Sequence, residues 1–181
     1  MRIIAGEARS RTIEAPKGRD TRPTLDRVRE NVFNILQMRV RGSRVLDLFS
    51  GSGALALEAI SRGAEAAVLV DHDRQAHQVE KRNVETLRFT DRARLMNTDW
   101  AQAVRQLTQE GARFDLVFLD PPYAMHDLTA VTEALRLLLE EDALLITEHE
   151  ADKPYLVADG YEQTDSRRYG YVGITIYRTR M

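Results

Sequence analysis

The stretch Phe118-Leu119-Asp120-Pro121-Pro122-Tyr123 sets an acid, two prolines and an aromatic directly after an apolar run. Consecutive prolines cannot extend a sheet, because neither has an N–H to donate. They do hold the backbone stiffly. Held so, the Asp120 carboxylate and the Pro121 carbonyl are two fixed acceptors, and Tyr123 offers a flat apolar face. That set suits an exocyclic amino group on a nucleobase. Such a nitrogen is a poor nucleophile, since its lone pair is delocalised into the ring. Two acceptors on its N–H bonds localise the pair and aim it. The aromatic stacks on the base and fixes its plane. An activated methyl group placed in line would be attacked by direct displacement. The product ammonium loses its proton easily, so no strong general base is required. Nor is a metal, and the four histidines show no ligand spacing.

A methyl donor needs its own site. Leu46 to Gly53, "LDLFSGSG", reads as a strand running into a glycine-rich turn before a helix. Gly51 and Gly53 permit positive φ and close approach of a ligand, and Phe49 lies within the same turn. In an open parallel sheet, ligands bind beyond the carboxyl ends of the strands. Asp71 ends the second strand, 20 residues after Gly51, where an acid accepts ribose hydroxyls. Asp99 follows strand three, within reach of an adenine amino group, and Trp100 stands beside it. Asp120 ends strand four. Four strands therefore deliver glycines or acids to one edge, which independent turns need not do. "GSGALA" also fits the relaxed dinucleotide pattern G-x-G-x-x-A, so a nicotinamide-dependent oxidoreductase competes. Asp47, inside the first strand, favours S-adenosylmethionine, whose amino-acid ammonium it could receive. A dinucleotide presents no such group.

The elements that position these residues alternate from residue 44 onward. Strands are expected over 44–49, 66–71, 92–97, 114–120 and 143–149. Helices are expected over 54–63, closed by Gly63, and over 74–87, 100–110 and 127–140. Near-continuous apolar strands between amphipathic helices imply a parallel sheet covered on both faces. "YEQTDSRRYG" and "YVGITIYRTR" then read as a hairpin. The expected architecture is α/β, a Rossmann-like, mostly parallel seven-stranded sheet with an antiparallel C-terminal strand. The first 43 residues differ. "RIIAG" and "RTIEA" predict a small hairpin, and "KGRDTRPT" a loop. The segment 25–36 predicts a helix with Leu25, Val28, Val32, Ile35 and Leu36 on one face and Thr24 as N-cap. Residues 1–43 are thus expected to form an extension packed on a catalytic domain, 44–181.

Composition narrows the setting. The chain of 181 residues is 43 % hydrophobic and 30 % charged, which fits one globular domain with a sizeable core. With no cysteine, disulfides, thiolate metal sites and cysteine nucleophiles are excluded. No run approaches the ~20 apolar residues of a membrane span, and no signal peptide is evident. A cytoplasmic location is expected. Residues 1–44 carry 11 Lys+Arg and 5 Asp+Glu, a net of +6, whereas the remainder carries 15 and 23, a net of −8. A basic end on an acidic body fits a polyanionic partner.

"LDLFSGSGALALEA", "VDHD", "TDW" and "FLDPPY" resemble motifs I to IV of the class I amino-methyltransferases. "MRIIAGEARSRTIEAP" and "TRPTLDRVRENVFNIL" closely resemble the RsmD family, and the likeness runs to the terminal "GYVGITIYR". The resemblance implies methyl transfer from S-adenosylmethionine to N2 of one guanine, position 966, of 16S ribosomal RNA. It implies that Asp47, Phe49, Gly51, Gly53, Asp71 and Asp99 hold the cofactor, with Trp100 either flanking its adenine or packing in the core at the start of its helix. Asp120, Pro121, Pro122 and Tyr123 would hold the guanine. Arg9, Arg11, Arg22 and Thr24 would lie on the RNA side. A small-subunit particle is the expected partner and a monomer the expected state. Ala56 replaces the second glycine common after motif I. A DNA adenine-N6 methyltransferase would share the Asp-Pro-Pro-Tyr chemistry. It would usually need more than about 40 extra residues to read a duplex.

Overall fold

β1 (Arg44–Asp47) lies inside a seven-stranded sheet, hydrogen-bonded in parallel to β2 (Ala66–Val70) and β4 (Phe114–Leu119). The computed structural model describes residues 1–15, 17, 23–122 and 124–180, with the backbone alone for Pro23 and Thr24. β3 (Ala93–Met96), β5 (Leu139–Glu150), β6 (Tyr161–Tyr169) and β7 (Val172–Thr179) complete the order β3-β2-β1-β4-β5-β7-β6. β7 is antiparallel to both neighbours, so the expected C-terminal hairpin forms and its second strand docks on β5.

Strand alternation sorts the core into two layers. Val45, Leu69, Leu116 and Phe118 pack on one face, against α2 (Ala54–Ser61), α3 (Arg74–Leu87) and α1 (Pro23–Leu36). Leu46, Val70, Val117 and Leu119 pack on the other, against α4 (Trp100–Gln109) and α5 (Thr129–Leu135). Coverage on both faces explains why the central strands read as unbroken apolar runs. The order reverses between β2-β1 and β1-β4, and that switch point is where the glycine-rich turn leaves the sheet.

The structure corrects several expectations. α1 begins at Pro23, so Thr24 lies in its first turn rather than at the N-cap; proline's fixed φ suits the first helical position. The helix expected over 127–140 ends at Leu135, passes through a 3-10 turn at Arg136–Leu138 and gives way to β5 at Leu139. Pairing decides this, because Leu139 registers with Phe114 and its carbonyl accepts from Arg113 Nη1 at 3.0 Å. The N-terminal hairpin is a single antiparallel bridge, Arg2 with Thr12. Its ladder stays short because the Ile4 and Ala5 N–H groups donate to the wholly buried Glu58 carboxylate of α2, at 2.9 and 3.0 Å. Gly6 then closes on Ser61 with φ 84°, where a Cβ would meet the Ser61 carbonyl oxygen at 1.8 Å. Among the described residues, no helix is long and apolar enough to cross a membrane.

Candidate active site

The turn after β1 is fixed from every side. Leu48 N–H donates to Phe118 O at 3.2 Å, and Ser50 N–H and Oγ both donate to Val70 O, at 2.9 and 3.0 Å. Gly51 N–H donates to Asp71 Oδ2 at 2.9 Å. Gly53 holds φ 81° at the start of α2, and a Cβ there would lie 2.7 Å from Leu69 Cδ2. Glycine is required at Gly53 by both backbone and packing. Below the turn, Ser50 Oγ also contacts Glu80 of α3, so its one hydroxyl proton has two acceptors within reach, Val70 O and the Glu80 carboxyl. Asp71 Oδ1 accepts from Asp73 N–H at 2.9 Å, and Asp73 caps α3. Asp99 caps α4, accepting from Gln102 N–H at 2.8 Å. Both caps hold helix N-termini at the same sheet edge.

Two cavities open there. A cleft of about 700 Å³ is lined by Phe49, Gly51, Asp71, Asp99, Trp100 and Asp120, among others. A smaller cavity of about 130 Å³ lies under α1, against Val28, Val32, Asp47 and Glu148. Phe49 and Asp120 line both. Asp120 therefore stands where the contents of the two cavities would meet.

The electrostatics favour cationic or donor-rich ligands. Asp47 is 1 % exposed, and neither carboxyl oxygen has a close hydrogen-bond partner among the described residues. Burial pushes its pKa well above the usual carboxylate range. Glu80 and Asp120 add repulsion, and the Ala56 N–H offsets a little of it. An orphaned buried carboxyl is costly unless something pairs with it, and the ammonium of an amino-acid cofactor would do so. Glu80 is pushed up to about 8 by burial, while the Ser50 hydroxyl pulls it down and Asp71 pushes it up. His77 Nδ1 lies 3.8 Å from it. Burial lowers the pKa of Arg29, on α1, against the pull of Glu58 and Asp26. Its guanidinium bonds Asp26 at 3.1 Å and the Arg2 carbonyl.

Most of the expected residues converge. Phe49, Gly51, Asp71, Asp99, Trp100, Asp120 and Pro122 line the cleft, and Asp47 the smaller cavity. Trp100 lines the cleft and also packs on the α4–α5 core layer. Pro121 is buried and Pro122 exposed, and the Pro122 carbonyl accepts from Met125 N–H at 2.9 Å. Gly53 sits behind the turn, against Leu69 and Leu57, and lines neither cavity. Arg9 and Arg11 are exposed on the N-terminal segment, and Arg11 donates to the Thr86 carbonyl of α3. Tyr123, Arg22 and the Thr24 side chain lie outside the described residues.

Sequence reasoning missed Ser50, Glu80, Asn83, Arg29 and Glu148. Asn83 is 1 % exposed; its Oδ1 accepts from Glu14 N–H at 2.8 Å, and its Nδ2 donates to Glu14 O and Ser52 O at 2.9 Å. Polar residues on amphipathic helices read as solvent-facing, and only their period marks Glu80 and Asn83. They fall on the stripe of Ala76, Val79, Val84 and Leu87 that faces the sheet.

The family described as Conserved hypothetical protein 95 matches residues 1–178. The ribosomal RNA small subunit methyltransferase D of Haemophilus influenzae is 33 % identical, over 98 % of this chain and 93 % of its own length. Its namesake from Escherichia coli strain K12 is 39 % identical, over 84 % of this chain and 76 % of its own length. The solved structure of yhhF from Escherichia coli, whose methyltransferase designation is provisional, superposes with a TM-score of 0.84 at 33 % identity. It covers 100 % of this chain and 98 % of its own. The shared architecture is that of the class I methyltransferases.

Proposed function

The chain belongs to the RsmD family of methyltransferases that use S-adenosylmethionine to modify ribosomal RNA, and on that premise we propose that it methylates the exocyclic N2 of one guanine in 16S rRNA. The observation that carries the reading is the position of Asp120, on the boundary of both cavities. The cofactor supplies an electrophilic methyl on a sulfonium. Asp47 pairs with the ammonium of its amino-acid end, which relieves the orphaned carboxyl. Asp71 and Asp99 take the ribose and adenine in the cleft. Asp71 keeps lone pairs for this, because each oxygen accepts one backbone N–H and has room for a second donor.

Asp120 and the Pro121 carbonyl then accept from the guanine amino group, and Tyr123 stacks on its ring. The nitrogen lone pair forms the new N–C bond as the methyl–sulfur bond breaks. The surplus proton leaves the amine for the Asp120 carboxylate or for water. Residues 1–43 form the RNA-contacting extension on the catalytic domain, 44–181, with Arg9, Arg11, Arg22 and Thr24 on the RNA side. The substrate is a small-subunit particle in the cytoplasm, where a base exposed in folded RNA needs little unstacking.

A tritium-methyl transfer assay tests this directly. Labelled S-adenosylmethionine is offered to small ribosomal subunits from a strain lacking the modification, and the RNA is digested to nucleosides. Label in N2-methylguanosine is expected. Label only in N6-methyladenine of DNA would keep the mechanism and overturn the substrate. No label in either would overturn methyl transfer to a base amine.

A further inference from the structure

We propose that Glu148 selects guanine, accepting the N1–H of the target base while Asp120 accepts from its N2 amino group. The inference rests on the guanine reading above. β4 and β5 run parallel and in register up to Leu119 with Thr147. Asp120, just past the end of β4, and Glu148, within β5, are the next residues of the two strands, so their backbones lie side by side, about 4.8 Å apart. Residues paired in a parallel register point to the same face, and both side chains line the cavity under α1. Their footing is rigid. Leu119 and Thr147 are wholly buried, and Thr147 Oγ1 donates to Thr175 O at 3.0 Å. Glu148 is itself held within β5, opposite Ile174 of β7, and a residue carried on a strand holds its place better than one carried on a loop.

The bases differ in what they show to such a pair. On its Watson–Crick edge guanine presents two adjacent donors, N1–H and the N2 amino group. Adenine presents one donor and, beside it, the N1 lone pair. An ionised carboxylate only accepts. One acid beside an amine would therefore serve either base. The second acid complements guanine and repels the adenine lone pair, which supplies both the attractive and the repulsive element of specificity. Asp47, paired above with the cofactor's ammonium, lines the same cavity, so the amino-acid end of the cofactor and the target base would meet there. Arg29, which also lines it, bonds Asp26 and the Arg2 carbonyl through Nη2, while its Nε has no hydrogen-bond partner among the described residues.

The test compares two substrates with two variants. Small subunits are reconstituted with guanine or with 2-aminopurine at the target position. The analogue keeps the 2-amino group but carries a lone pair at N1. Wild-type enzyme is expected to favour guanine in kcat/KM by about 100-fold or more, as sites built around a hydrogen bond do. In Glu148→Gln the side-chain amide donates to the bare N1, and the preference falls by at least ~10-fold. Glu148→Ala removes the repulsion and lowers the preference in the same direction. Calorimetry with S-adenosylhomocysteine reports whether each variant is folded. An unchanged preference in an active variant overturns the proposal. So does loss of transfer to both substrates with cofactor binding intact, or loss of cofactor binding in both variants. Failure of wild-type enzyme to form N2-methylguanosine on guanine subunits would instead refute the parent reading.

Discussion

Replacing Glu80 by glutamine should flatten the decline of stability with rising pH. Glu80 is wholly buried under the glycine-rich turn and is pushed from 4.5 to about 8. Between those values the folded chain holds a proton that the unfolded chain has lost. Glu80's contribution is therefore fully present below about pH 4.5 and is lost as pH rises through about 8. A difference of about 3.5 units at ~1.4 kcal/mol each gives roughly 5 kcal/mol across the window, of which about 4 falls above pH 5. The amide that replaces the carboxyl would still accept from the Ser50 hydroxyl and cannot ionise. His77, Asp71 and Asp47 surround the group in both proteins. Asp47 titrates with the same sign and is itself raised partly by Glu80. Urea unfolding at pH 5 and pH 9 reads the effect. The two proteins should match at pH 5, and the variant should be more stable by about 3–4 kcal/mol at pH 9, or about 10 °C in Tm. Stability differences that agree at both pH values within ~1 kcal/mol would refute the assignment of a buried proton to this site.

Asp120→Ala should lower methyl transfer by at least ~10³-fold while cofactor affinity stays within several-fold, since Asp120 acts on the acceptor amine; calorimetry showing lost cofactor binding in a folded variant would contradict this. Replacing Arg9, Arg11 and Arg22 together by alanine should reduce the slope of log K against log salt for RNA binding by about 2. An unchanged slope in a filter-binding titration would move the RNA surface elsewhere. Glu58→Gln turns an amide toward the Ile4 and Ala5 N–H groups and should destabilise the chain by about 2–4 kcal/mol in urea unfolding. A loss below ~0.5 kcal/mol would mean that water satisfies those groups.

The β–α alternation was legible because each central strand is covered on both faces and needs unbroken apolar sequence, as at Leu116 to Leu119. The acids at the strand ends were legible for a related reason, since a carboxylate next to such a run has to leave the sheet. Helix ends were harder. Local pattern carries α5 past Leu135, but pairing of Leu139 with Phe114 is a contact between distant parts of the chain. The buried polar framework was least visible. Glu58, Glu80 and Asn83 are at most 1 % exposed, and their partners Ile4, Ser50 and Glu14 lie 54, 30 and 69 residues away. Gly53 carries a second constraint that its motif does not show, because a Cβ there would meet Leu69 and Leu57.

One amide side chain links the N-terminal segment directly to the glycine-rich turn. Asn83 grips the backbone of Glu14 in the N-terminal segment and the carbonyl of Ser52 in the glycine-rich turn. A displacement at residue 14 is thus transmitted to the turn, and a displacement of the turn is transmitted back. Linkage makes such communication reciprocal. If RNA tightens the hold on the cofactor by some factor, the cofactor tightens the hold on RNA by the same factor. Order of arrival would then change the route to the ternary complex and leave its overall free energy untouched.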